Sequence, residues 1–480
     1  MVNPKGRFFY SFFEQVFENL NVWGVSIMKD NHQDSQLKRE LSTRHMQLIA
    51  LGGSIGVGLF YGSSSTIQMA GPSILLAYLI GGLVIFTIMR ALGEMAVAEP
   101  VSGSFSMYAN KYLGRFAGFL SGWTYWFMWI VVGMAELTVV GVYINYWFPD
   151  IPQWVTAFVV LVMMTLVNLA NVKAYGEFEF WFAMIKVVAI IGMIVLGLAI
   201  IFFGVGNHGE AIGFDNLWAH GGFMPNGFHG ILMSLVLVMF SFGGVELVGI
   251  SAGEAKNPSK AIPSAINNIV WRILIFYIGA LGVMMVIYPW NEVGSEGSPF
   301  VQIFDYVGIP AAAHIINFVV ITAAMSAFNS GLYGSGRMLH NLSVQKNGPE
   351  YFRIVSKNGS PSRGILFSSA VLLIAVVLNY VVPEKVFIYI SAVATVAVIT
   401  SWMIILFAQL KFRKSKTKEE VAKLKFKIPL YPLSTYIAIA FLLMVIVLMA
   451  FIPDMRVALY VAPIWFFILF IGYKVIHVKK

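Results

Sequence analysis

The sequence predicts an all-α integral membrane protein with twelve transmembrane helices, and three observations carry that prediction. Of 480 residues, 58% are hydrophobic and 11% are charged, with mean hydropathy +0.78, so apolar surface exceeds what one water-soluble core can hide. Apolar runs near the length of a bilayer crossing, about 20 residues, recur along the whole chain. These runs are unbroken and lack the polar–apolar alternation of barrel strands.

In chain order, residues 1–44 come first as an N-terminal segment. Phe8, Phe9, Phe12, Phe13, Val16, Phe17 and Leu20 recur at helical spacing there, which suits a short helix lying in the membrane interface. The competing reading is a dispensable N-terminus with Met28 as a second start. No apolar stretch with a small-residue cleavage site follows, so no signal peptide is expected. The spans then fall at residues 46–69, 73–98, 116–147, 154–172, 178–204, 230–251, 265–288, 311–339, 365–382, 386–410, 436–452 and 457–476. Spans one to five, with their loops, make a unit over residues 45–204, and spans six to ten a second over 228–410. A basic loop, residues 411–435, leads to residues 436–480 with the last two helices and the C-terminus. Of 32 Lys and Arg, only Lys385 and Arg456 fall in loops on the side opposite the termini, so the termini are expected to be cytoplasmic. The same asymmetry accounts for the net charge of +9 without a nucleic-acid partner.

Several chemistries are set aside. Cysteine is absent, which removes disulfides and thiolate metal sites. The eight His are scattered, with no pair at metal-ligand spacing. No Gly-Lys dipeptide occurs, so there is no Walker A loop and no ATP use by this chain. The one GxGxxG match, "GVGNHG" from Gly204, follows an apolar helix instead of a strand and reads as a loop. No nucleophile and base stand at recognisable spacing, so an enzyme is not expected.

The first span contains "GGSIGVGLF", residues 52–60, where four glycines weaken a helix interior by about 1 kcal/mol each relative to Ala. The sixth contains "FSFGGVELVGISAGE". Spans one and six hold equivalent places in the two five-helix units, and paired Gly-interrupted spans point to a transporter's binding site. Five spans is an odd number, so the repeat is inverted. A break at membrane depth exposes amides at one end and carbonyls at the other, making a half-positive and a half-negative site. Amides near Ser54, Ile55, Gly56, Val57 and Gly58 suit a carboxylate, while carbonyls near Phe240, Ser241, Phe242 and Gly243 suit an ammonium. An amino acid carries both charges. Alternatively, Gly52 and Gly56 form a GxxxG pair that lets helices pack.

The stretches "LSTRHMQLIALGGSIGVGLFYGS", "AGPSILLAYLIGG", "MRALGEMAV", "FEFWFAMIKVVAI", "GGVELVGISAGEAKNPSKAIPSAI" and "YPWNEVGSEGSPFV" resemble the amino-acid transporter family of the amino acid, polyamine and organocation superfamily. The similarity covers residues 37–476 and is strongest toward bacterial permeases for proline and for threonine or serine. The resemblance implies twelve helices, a leucine-transporter-like inverted repeat and proton-coupled uptake at the cytoplasmic membrane. It implies a proton gradient in place of a cofactor. Many members carry Thr where Val57 stands, so a hydroxyl contact is missing here.

Charges at bilayer depth cost about 2.5–3.5 kcal/mol each on insertion scales. Lys186 lies nine residues beyond Glu177, about 13 Å up its helix. The resemblance implies that a Lys at this place occupies the space of a sodium ion and that its protonation replaces the cation; the alternative is snorkelling to the interface. Glu136 in "GMAELTVVG" is a second proton-coupling candidate. Glu246 follows the second break, as a helix cap or a ligand contact. Ser326 and Asn329 offer oxygens near Lys186, or simply bridge helices. Trp147, Tyr288 and Trp290 fit an interfacial belt. Phe242 either closes over a bound side chain or packs the core.

The expected function is import of a neutral amino acid with a proton by alternating access. An exchanger of the same fold and a membrane sensor that binds without transport are the alternatives, separated by flux in proteoliposomes. The orientation is directly testable because the native chain has no cysteine. In Lys418→Cys, an impermeant thiol reagent should label the protein only after the cells are permeabilised; labelling of intact cells refutes a cytoplasmic 411–427 loop.

Overall fold

The computed structural model describes residues 55–101, 104–170, 172–205, 209–247, 249, 258–293, 299–306, 310–356, 359–383 and 385–477. Ser54, the N-terminal segment 1–44 and the start of the first span lie outside them. Every described regular element is a helix. The long ones are α3 (Ile74–Ala98), α5 (Arg115–Asn145), α6 (Gln153–Ala170), α7 (Val172–Phe203), α12 (Pro310–Val344), α13 (Ser362–Val381), α14 (Val386–Lys414) and α17 (Arg456–His477). Shorter ones are α1 (Val57–Phe60), α2 (Gly62–Ala70), α4 (Ser104–Leu113), α8 (Gly227–Ser241), α9 (Pro258–Arg272), α10 (Ala280–Ile287), α11 (Pro299–Tyr306), α15 (Lys418–Lys423) and α16 (Leu433–Met449).

Among the described residues, nine helical stretches are long and apolar enough to cross a membrane, and α8 and α16 are shorter apolar helices. Among the described residues the apolar runs are largely helical, with a turn at 242–246 inside the sixth. The first two are separated only by a turn at Gly71, whose φ of +58° lies in the left-handed region that favours glycine. The seventh is joined through a π-helical segment, Ile273–Gly279, between α9 and α10. Gly204, at φ +64°, ends α7, which agrees with reading the GxGxxG match as a loop.

Burial sorts the helices. In the most apolar stretch of α5, 83% of residues are buried, against 6% for the segment ending in α17, so α5 lies at the centre and α17 at the rim. Lipid is as apolar as leucine, so helices here need polar and close-packed contacts to associate. Trp126 Nε1 donates to Ser368 Oγ at 3.0 Å, Asn379 Nδ2 to Thr138 Oγ1 at 2.9 Å, and Asn317 Nδ2 to the Tyr143 carbonyl at 3.0 Å. These bonds fasten α12 and α13 to α5.

A charged clamp closes one end. Glu94, fully buried on α3, pairs with Arg413 of α14 and accepts the Ile428 amide at 2.7 Å. Arg90, one turn earlier, donates to the Lys427 carbonyl and stacks 3.7 Å over Phe426. The basic loop of the sequence is therefore strapped to α3. Removing one partner of a buried pair strands the other, at a cost of about 3–5 kcal/mol. Glu94→Ala is expected to destabilise the purified protein by that order, read as a lowered thermal midpoint, whereas Lys418→Ala on exposed α15 leaves the midpoint unchanged.

Candidate functional site

Where the sequence places the first break, Ile55 and Gly56 are non-helical and α1 begins at Val57. Gly56 is its extended N-cap, at φ −126° and ψ −159°, with no side-chain cap. The second break opens where α8 stops at Ser241, and Phe242 to Glu246 form a turn in which Gly244 takes φ +96°. The two breaks touch. A Cβ on Gly58 would stand 2.6 Å from Ser241 Cα and 2.8 Å from its Oγ, so close approach requires glycine there.

Three buried charges surround the first break. Lys186, midway along α7 and fully buried, donates from Nζ to the Ile55 carbonyl at 3.1 Å. Its ammonium thus turns into the protein instead of snorkelling. Glu136 of α5 receives a backbone hydrogen bond from Val57, and a Cβ on Gly56 would lie 2.6 Å from its Oε1. The amide end of the break therefore faces a carboxylate belonging to the chain itself. Glu136 Oε2 has no hydrogen-bond partner among the described residues. Glu179 of α7 is the third charge, fully buried, with Oε1 accepting from Ser326 Oγ at 2.7 Å. Both carboxylates lie within electrostatic range of Lys186. Asn329, three residues beyond Ser326, accepts from Asn168 Nδ2 at 2.8 Å and joins α12 to α6. Ser326 thus meets the charge cluster through Glu179.

The second break is held by hydroxyls. Tyr277, on the π-helical segment, donates to the Ser241 carbonyl at 2.9 Å, and Tyr78 of α3 lies 3.3 Å from Ser241 Oγ. The Phe240 carbonyl accepts the Gly243 amide at 2.9 Å. Phe242 is buried, with ring centroids 5.0 Å from Tyr277 and 5.8 Å from Tyr78, so it packs in an aromatic trio. Glu246 accepts the Gly244 amide and Trp402 Nε1, each at 3.2 Å, and ties the turn to α14.

Sequence reasoning singled out Lys186, Glu136 and the glycines but passed over Glu179, Tyr78 and Tyr277. The available signal for Glu179 is its spacing: seven residues before Lys186 is nearly two full turns, which places both on one helix face.

A family model described as amino acid permease matches residues 45–480, most of the chain. The chain belongs to the amino acid permease family. Among its relatives in Bacillus subtilis (strain 168), an uncharacterized amino acid permease, YtnA, is 56% identical over 450 residues, covering 93% of this chain and 97% of that one. A probable threonine/serine transporter, YbxG, is 51% identical over 447 residues, covering 93% and 96%. The amino-acid permease AapA is 49% identical over 448 residues, covering 93% and 97%.

As an amino acid permease the chain is a transporter and not an enzyme, embedded in a membrane and acting on amino acids. In this permease the place where α1 meets the end of α8 is where non-helical backbone lies buried, an arrangement membrane proteins tolerate only when it is buried or lines a cavity. Gly58→Ala pushes a methyl group into the Ser241 backbone and is expected to cost about 1–3 kcal/mol and most amino acid uptake. Gly62→Ala is the control: its nearest neighbours are 3.8 Å away, and uptake should be unchanged. Equal uptake by the two variants in cells places the substrate path elsewhere.

Proposed function

We propose that the protein imports a neutral amino acid together with a proton across the cell membrane, by alternating access. The architecture assumed is twelve spans in a five-plus-five inverted, leucine-transporter-like repeat with spans one and six broken and both termini cytoplasmic. The substrate class is proline-, threonine/serine- or alanine-like, and the relative YbxG, a probable threonine/serine transporter, supports the second of these. Amides from Ile55 to Gly58 take the substrate carboxylate, and carbonyls at Phe240 and Ser241 take its ammonium.

The observation that carries the proton is the trio of Lys186, Glu136 and Glu179, sealed from water around the Ile55 carbonyl. Two carboxylates and one ammonium sum to one negative charge, and one added proton makes the trio neutral. A substrate carboxylate arriving at the Val57 amide meets Glu136 there, and like charges at that distance oppose each other. Proton uptake removes the repulsion, so proton and substrate favour the same state, which is the condition for coupling. Lys186 then transmits protonation to the break through its bond to Ile55.

Purified protein in liposomes with an imposed pH gradient tests this reading. Lys186→Ala should lose gradient-driven accumulation, falling to the level of empty liposomes. Lys186→Arg should not restore it, because a guanidinium stays protonated. Full accumulation by Lys186→Ala removes Lys186 from coupling, and counterflow without gradient-driven uptake in the native protein favours exchange instead.

A further inference from the structure

Away from the helix breaks, a cavity of about 540 Å³ opens between the end of α3, α4 and the end of α14. Lys111, Lys411, Lys414 and Lys416 line it, together with Glu99, Tyr112 and Ser415. Four ammonium groups against one carboxylate leave a surplus of three positive charges. Glu99 is already committed: Oε2 accepts from Lys111 and from the Tyr112 hydroxyl, each at 2.7 Å, and Oε1 from Lys416 at 3.2 Å. Burial pushes the Glu99 carboxyl up, but these three hydrogen bonds outweigh it and hold the group below the usual carboxylate range. It is ionised near neutral pH and fully used. Lys411 and Lys414, both exposed, make no ion pair among the described residues.

Basic residues at a helix C-terminus and in a cytoplasmic loop are ordinary in themselves. Neither rule explains why these line one open cavity, or where it opens. Phe407, Lys411 and Lys414 stand at i, i+4 and i+7 on α14, one helix face, and Phe407 is 42% exposed within an apolar span. The unpaired lysines therefore continue the face that α14 turns toward lipid. Tyr112 gives the cavity one aromatic wall and is itself backed edge to face by buried Phe412 at 5.5 Å.

We propose that this cavity binds a phosphate-bearing anion and that its source is the headgroup of an anionic phospholipid of the inner leaflet. Basic pockets between membrane helices on the cytoplasmic side suit such headgroups, at roughly fivefold in affinity for each lysine near the surface. A headgroup seated here bridges α4 and the end of α14, beside the link that Glu99 already makes between α4 and Lys416 just beyond α14, and so stabilises the inner face of the protein.

The test reads binding and is independent of the transport mechanism. The full chain, purified in detergent, is titrated with phosphatidylglycerol, phosphatidylcholine or glycerol phosphate while the thermal midpoint is followed. Phosphatidylglycerol should raise the midpoint saturably, and the other two should not at the same concentration. Lys411→Gln/Lys414→Gln should weaken the apparent affinity for phosphatidylglycerol by about 25-fold, two factors of about five. Lys423→Gln/Lys425→Gln, which alters the same loop outside the cavity, should leave it unchanged. An equal shift with glycerol phosphate makes the source a soluble anion and overturns the lipid assignment. Equal weakening in both double variants reduces the effect to diffuse surface charge, and no shift with phosphatidylglycerol in the native protein removes the site.

Discussion

The ammonium of Lys186 is held where water does not reach, and much of the molecule is organised around keeping it there. A cation at bilayer depth is tolerated only with partners, and this one finds a backbone carbonyl that an intact helix would have used internally. The break in the first span and the buried lysine therefore depend on each other. Without the break, Ile55 has no spare carbonyl, and without the lysine the carbonyl would be stranded in a dry interior. Glu136 and Glu179 extend the same logic, since each carboxylate is affordable only beside that cation. The polar residues of α12 follow in turn, with Ser326 meeting Glu179.

The second break obeys a different rule. Its carbonyls are met by tyrosine hydroxyls and by local amides, so neutral hydrogen bonds do there what charge does at the first break. The asymmetry suits a substrate with two unlike ends. Gly58 joins the two regimes, because a hydrogen in place of a methyl group lets α1 lie on the end of α8. Tyr277 reaches Ser241 from a π-helical segment. Such segments carry an extra residue per turn and recur at functional sites because they re-aim a side chain that regular spacing would point elsewhere.

Much of this was legible in the sequence because the bilayer imposes length and polarity rules that single sequences express strongly. Where the apolar runs are described they are largely helical, and of the glycines in "GGSIGVGLF" Gly56 stands at the start of α1. Lys186 announced itself by contrast with its apolar neighbours. Glu179 did not, since "EFEF" sits near the helix start, where a carboxylate reads as interfacial unless its spacing to Lys186 is weighed. Tyr78 and Tyr277 were hidden among many aromatics, whose hydroxyls become informative only when a partner is located. The π-helical segment has no periodicity signature in an all-apolar stretch. Glu94 and Arg413 are 319 residues apart, and no local pattern pairs residues across such a distance.

That last pair has a mechanical meaning. One carboxylate is gripped at once by a side chain of α14 and by the amide of Ile428 beyond it, so α3 and α14 share a fixed point at one end. Pulling them apart there would leave a buried anion naked, whereas rotating one about the other leaves both bonds intact. Motions of α3 are thereby restricted to those that pivot on Glu94, and the residues beyond α14 travel with it as a lever arm. A tether fastened to the 411–427 loop would load α3 directly, so the loop is a handle on the helix that carries Tyr78 to the second break.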